Sequence, residues 1–293
     1  MKRSLLAVLF LLAAVSVFAA VQLEYHKLYT PQEGMSADEI MRIKYHGKYS
    51  LFANDFHQVG EVYYVDPSGY TRKRVWDRSR IVKGTDGIAY KDLIVMTYPA
   101  EVKGLSVLTW TYLDPKRDQD VWLWIPSLKK VRKTSASQSD DSFMGSDLTV
   151  QEVSTRKFED ETYKLLESKA FAGYKFEHTG EMMYVGKPVF VIEGIPTRPN
   201  WYYSKRIMYI DKETGGVILS EYYDRNGKLF KTDFLKWDMI DVGNGMKYPA
   251  QTGRECKDLR TGHRTVITMK DTEFDKGISE EKFTEKALSR SRW

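Results

Sequence analysis

The stretch of this chain that most limits its fold is a short strand that is apolar on both sides. Residues 121–125 read Val-Trp-Leu-Trp-Ile. Successive side chains in a strand point to opposite faces, so Trp122 and Trp124 share one face while Val121, Leu123 and Ile125 share the other. An antiparallel sheet with one wet face would alternate apolar with polar here. The strand therefore lies between two layers or lines an enclosed apolar space. The preceding strand, residues 107–112 (Val-Leu-Thr-Trp-Thr-Tyr), carries Leu108, Trp110 and Tyr112 on a common face.

The same strand pattern recurs along the chain, punctuated by turn chemistry at residues 66–69 (Asp-Pro-Ser-Gly), 83–87, 214–216 and 243–245. Asn226-Gly227, between two aromatic runs, predicts a two-residue hairpin. Roughly eleven strands are expected, and an antiparallel sheet of that size tends to curl or close. Helices bracket the strands. Ser36 and Glu39 form a capping box, with Met35 and Ile40 as hydrophobic staple, which predicts a helix over 37–45. Ser279 repeats the device near the C-terminus, predicting a helix from Glu280 with Ile278 and Phe283 as staple and Leu288 on the apolar stripe. One long interruption, residues 134–147, precedes a short helix expected near 148–153. A loop of that length within a compact domain is usually functional or disordered, and Phe143 and Met144 at its end argue for function as a lid.

Residues 1–20 have the form of a cleavable secretory leader: Lys2 and Arg3, an apolar run, then small residues at Ala19 and Ala20. Residues 21–293 are expected to form one domain. Removing Lys2 and Arg3 takes the formal charge from +5 to +3, too little to argue for nucleic acid. The single cysteine, Cys256, precludes an intrachain disulfide and an acylated cysteine after the leader. The expected location is the periplasm, as an unanchored protein.

The aromatic content is high, with 7 Trp, 19 Tyr and 13 Phe. Any one of these side chains is as readily core as ligand site. Together they are awkward to close-pack, because buried indole N–H and phenol O–H groups need partners, and a cavity wall accommodates them. The basic residues Lys129, Lys130, Arg132 and Lys133 can serve as a solvated strand edge that discourages aggregation. They can equally approach an anionic membrane or an acidic partner. Chemistry is not signalled: the five histidines have no short metal-ligand spacing, and nucleophile-elbow and phosphate-loop motifs are missing. No enzyme activity and no cofactor are expected.

Four segments carry a family resemblance: residues 99–104 (Pro-Ala-Glu-Val-Lys-Gly), 122–126 (Trp-Leu-Trp-Ile-Pro), 128–132 (Leu-Lys-Lys-Val-Arg) and 143–147 (Phe-Met-Gly-Ser-Asp). In these the chain resembles the outer-membrane lipoprotein-sorting protein family, a LolA-like group of exported proteins. Weaker matches continue through residues 203–206 and 221–224 and at Phe283, Thr284 and Leu288, whereas residues 47–56, with Tyr49, Phe52 and Phe56, depart from the family pattern. The resemblance implies a curved, incompletely closed antiparallel β barrel, covered by short helices, around a hydrophobic cavity that accepts acyl chains. It also implies work alongside an inner-membrane lipid exporter. On this basis Leu108, Trp110, Tyr112, Trp122 and Trp124 are the expected cavity wall, Phe143 and Met144 the gate, and Lys129, Lys130, Arg132 and Lys133 the membrane or partner contact. The expected function is a periplasmic carrier of lipoprotein or lipid acyl chains between membranes. The alternatives are an adaptor docking on a membrane exporter and, third, a hydrolase.

Overall fold

The computed structural model describes residues 23–134, 140–153 and 156–290. The expected leader lies outside the described residues, as do residues 135–139 of the loop.

The chain enters through helix α1 (Ala37–Lys48). Its capping box is formed: Ser36 Oγ accepts from the Glu39 amide at 3.3 Å and Glu39 Oε2 accepts from the Ser36 amide at 2.8 Å. Acidic Asp38 and Glu39 in the first turn and His46 and Lys48 in the last complement the helix dipole, and the helix runs a turn further than its sequence pattern predicts. Six strands then follow as a meander: β1 (Asp55–Val65), β2 (Thr71–Thr85), β3 (Ile88–Tyr98), β4 (Ser106–Tyr112), β5 (Asp120–Ile125) and β6 (Lys130–Thr134). The loop and the short helix α2 (Val150–Val153) lead to β7 (Glu161–Ala170), a small hairpin of β8 (Tyr174–Phe176) and β9 (Glu181–Met183), and a second meander. This comprises β10 (Pro188–Pro196), β11 (Lys205–Asp211), β12 (Val217–Tyr223), β13 (Leu229–Gly243), β14 (Met246–Asp258) and β15 (Arg264–Phe274).

Among the described residues thirteen strands form one antiparallel sheet in the order β6-β5-β4-β3-β2-β1-β15-β14-β13-β12-β11-β10-β7. The two meanders meet where β1 pairs with β15, with Val62 opposite Ile267. The sheet is open, with free edges at β6 and β7, so the strands do not close into a barrel and their number exceeds the expected eleven. It nevertheless bends around α1: one apolar cluster joins Ile40, Met41, Tyr45 and Tyr49 of the helix to Val82, Ala89 and Tyr90 near one side and Phe190, Ile192, Met208 and Ile210 near the other. Burial of each such side chain stabilises the fold by about 1.5–3 kcal/mol, which holds the sheet in its curve.

The opposite, convex face is covered twice. Over the second meander lies the β8–β9 hairpin, where Tyr174 stacks on Phe234 with centroids 4.4 Å apart. Over β3, β4 and β5 lies the C-terminus. There the predicted single helix is divided: a 3₁₀ turn, Glu280–Phe283, is capped by Ser279, and α3 (Glu285–Arg290) follows. Thr284 has extended backbone angles, which break the helix, and its hydroxyl oxygen accepts from the Ala287 amide at 3.1 Å. The turn at Asn226-Gly227 is also longer than expected, because the Asp224 carboxylate accepts from the amides of Asn226 at 2.8 Å and Lys228 at 2.9 Å.

Candidate functional site

On the concave side, between β1–β4, β15 and the loop that returns over them, lies a predominantly apolar cavity of about 170 Å³. Register places its wall. Val62 of β1 faces Ile267 of β15, Trp76 of β2 faces Met96 of β3, and Ile94 faces Val107 of β4; all of these line the cavity. Trp76 lies flat against Gly60, where a Cβ would come within 2.0 Å of the indole, so the glycine gives the ring its seat. The roof is the loop. Phe143, Met144 and Leu148 close the cavity, and positive φ angles at Met144 (53°) and Gly145 (78°) make the sharp turn between them. Its fastening is polar: Arg74 donates to the Met144 carbonyl at 3.1 Å, Ser146 Oγ to the Phe143 carbonyl at 2.7 Å, and the Asp147 amide to Thr265 Oγ1 at 2.9 Å.

Beside the greasy wall the concave face is densely charged. Asp92 accepts from Arg78 at 2.5 Å and also from Arg80. Burial alone would raise its pKa, but the two guanidinium groups hold it down at about 2. Further along, Glu152 meets Lys231 at 2.6 Å, Glu161 meets Arg206 at 2.5 Å and Asp233 meets Arg254 at 2.7 Å. Glu161 is likewise held at about 2 against the effect of burial, by Arg206 and Arg156. Lys44 and Lys48 from α1 and Arg156 point into the same region and, with Arg206 and Arg254, line a second, smaller cavity of about 50 Å³. Burial first, then the neighbouring cations, pushes the pKa values of Lys44 and Lys48 well below the ordinary lysine range. Lys48, Glu152, Gln251 and Arg254 line both cavities, so the apolar and charged compartments adjoin.

A family model described as "uncharacterized protein"-like matches residues 89–290. The chain belongs to that family. Its fold is LolA-like. A domain from Vibrio parahaemolyticus named as outer-membrane lipoprotein-sorting superposes with a TM-score of 0.69 at 24% identity, covering 87% of this chain and 98% of its own. A DUF1329 family protein from Desulfovibrio piger gives 0.69 at 23% identity, over 86% and 99%. A LolA superfamily protein from Nitrosomonas europaea gives 0.57 at 16% identity, over 86% and 99%. No curated protein matches the chain.

Within this LolA-like frame the expected wall residues are on the other side of the sheet. Leu108, Trp110, Trp122 and Trp124 pack with Leu93, Phe283 and Leu288 on the convex face, and Tyr112, on the same face of β4, hydrogen-bonds Asp120 at 2.5 Å. The Trp110 indole N–H has its partner in the Phe283 carbonyl, 3.0 Å away. The correction is one of phase: Leu105, Val107 and Thr109, not Leu108, Trp110 and Tyr112, face the cavity. Phe143 and Met144 do line it. Lys129, Lys130, Arg132 and Lys133 lie exposed on and beside the free edge strand β6. Lys130 and Arg132 stand opposite Ile125 and Leu123 and share their concave face, whereas Lys133 stands opposite Trp122 and pairs with Asp120 at 2.6 Å. Sequence reasoning missed the buried charges. The signal was in α1, where Lys44 and Lys48 stand four and eight residues after Ile40 and so fall on its buried face. Tyr49, in the segment that departs from the family pattern, caps this helix and lines the cavity.

Among the described residues no group of three or more His, Cys, Asp or Glu is placed to hold a metal ion, and no helix is long and apolar enough to cross a membrane.

Proposed function

We propose that this protein is a periplasmic carrier that shields acyl chains, of a lipoprotein or of a free lipid, as they pass between membranes. The observation that carries this reading is the apolar cavity beneath the Phe143–Met144 loop, in a fold shared with proteins named for lipoprotein sorting. Each methylene hidden from water is worth about 0.8 kcal/mol, so a tail of about fourteen represents roughly 11 kcal/mol that must stay covered in transit. A dry engineered cavity of about 150 Å³ takes up benzene. The present cavity is of that order and holds part of a tail, so full loading requires Phe143 and Met144 to swing outward as a gate. Native mass spectrometry with lipid extraction tests the reading: co-purifying lipid is the expected result, and delipidated protein that takes up no acyl probe would overturn it.

The adaptor reading draws on a different feature, the exposed basic edge of the sheet at Lys129, Lys130 and Arg132. Exchange of these residues for glutamate abolishes partner or membrane contact under either reading, but only a carrier continues to take up probe. An inner-membrane lipid exporter is the partner proposed for this edge.

A further inference from the structure

The concave interior holds more basic side chains than it has carboxylates to pair with them. Glu152 and Asp233 line the small cavity and are paired with Lys231 and Arg254, and Arg206 of its wall is paired with Glu161. Lys44, Lys48 and Arg156 are then left over, with no ion pair of their own among the described residues. Arg156, 2% exposed, donates among the described residues to neutral side-chain acceptors, Gln151 Oε1 at 3.1 Å and Tyr202 OH at 3.0 Å. The Lys48 ammonium meets the Glu152 carbonyl at 3.4 Å, and that of Lys44, 4% exposed, rests 3.6 Å from the centre of the Tyr45 ring. A cation withdrawn from water is strongly unfavourable unless paired, so an anion entering here would pair with Arg156 and hold the protons of Lys44 and Lys48. These three gather around a cavity of about 50 Å³ that has room for a small polar group.

We propose that this pocket is an anionic-headgroup site: it receives the carboxylate or phosphate oxygens of an amphiphile whose alkyl part occupies the adjoining apolar cavity. Lys44, Lys48 and Arg156 supply the donors, and the lining shared through Lys48 and Arg254 sets head and tail side by side. The inference rests on the acyl-carrier reading and sharpens it. A cysteine acylated through ester and amide bonds brings no anion to such a pocket, so the site favours free anionic lipid over a lipoprotein terminus as cargo.

The test uses the delipidated full mature chain and a fluorescent eighteen-carbon polyene fatty acid, its methyl ester, and inorganic phosphate, against wild type, Lys44→Met and Lys48→Met. A charge-assisted hydrogen bond lost from a buried site weakens binding by about ten- to a hundredfold. The acid is therefore expected to bind about that much more tightly than the ester and to lose the advantage in each variant. Equal binding of acid and ester, insensitive to both substitutions, overturns the headgroup site and leaves the carrier standing. Binding of neither amphiphile overturns both. Binding of inorganic phosphate with no uptake of acid or ester makes the pocket a free-anion site and overturns both as well. Lys48 is only half-buried, so its variant keeps the test decisive should Lys44→Met fail to fold, as monitored by circular dichroism.

Discussion

The two faces of strands β3 and β4 carry apolar side chains in equal measure, yet one face is solid and the other hollow. On the convex side Leu93 and Leu108 are closed over by Phe283 and Leu288, which are fully buried, and Lys91 reaches Glu280 at 2.7 Å to tie the C-terminal turn down. On the concave side Ile94 and Val107 meet a polar-fastened loop and a bank of charged groups instead. Salt-bridged side chains need their own partners and geometry, so they cannot flow into an apolar gap as leucine or phenylalanine would. An apolar strand face thus becomes core or cavity according to what is laid on it.

Truncation on the solid face should have the largest effect. Phe283→Ala is expected to destabilise by about 3–5 kcal/mol in chemical denaturation, with probe uptake by the remaining folded protein unchanged; reduced uptake at unchanged stability would reverse the assignment of the faces. Acid should act on the charged side. Asp92 and Glu161 titrate at about 2 in the folded state, against ordinary values of 3.8 and 4.5. Their contribution is present above the ordinary values and is lost as pH falls toward about 2, on the order of 2–4 kcal/mol for each group. Denaturation midpoints followed across that range check this, and replacement of Asp92 by asparagine should flatten part of the slope.

Gly60→Ala forces the Trp76 indole off its seat, and the expected loss is about 1–3 kcal/mol, together with reduced uptake as the ring moves. Val107→Phe adds volume where there is room for it, so stability should shift by less than about 1.5 kcal/mol while acyl-probe binding falls; unchanged binding would show that the probe does not enter the cavity. Smallest of all in stability is reversal of Lys129, Lys130 and Arg132 to glutamate, within about 0.5 kcal/mol. Sedimentation with anionic vesicles should then be lost while probe uptake persists.

Much of the architecture could be read from residue pattern. Ser36 and Glu39 located α1 because a capping box is a local arrangement of four residues, and the Phe143–Met144 turn stood out because two apolar residues in a polar loop require a place to go. The tryptophans misled for a physical reason. Alternation states that Trp122 and Leu123 lie on opposite faces but not which face is covered by what, and the cover for Trp110 and Trp122 arrives with Phe283, far along the chain. The buried charges Lys231 and Asp233 were hidden by the same limit, since they stand two residues apart between Phe230 and Phe234, as residues of a wet face would.

By itself the amino-acid sequence determined the strand-rich class, the two N-capped segments and the two apolar faces of residues 121–125, because these follow from short-range stereochemistry and periodicity, and four short segments carried the family resemblance. Only the tertiary structure decided that the sheet stays open, that the indoles belong to the solid side, and that Lys44, Lys48 and Arg156 converge next to an apolar cavity. Those outcomes depend on contacts between residues a hundred or more positions apart, which local pattern does not encode.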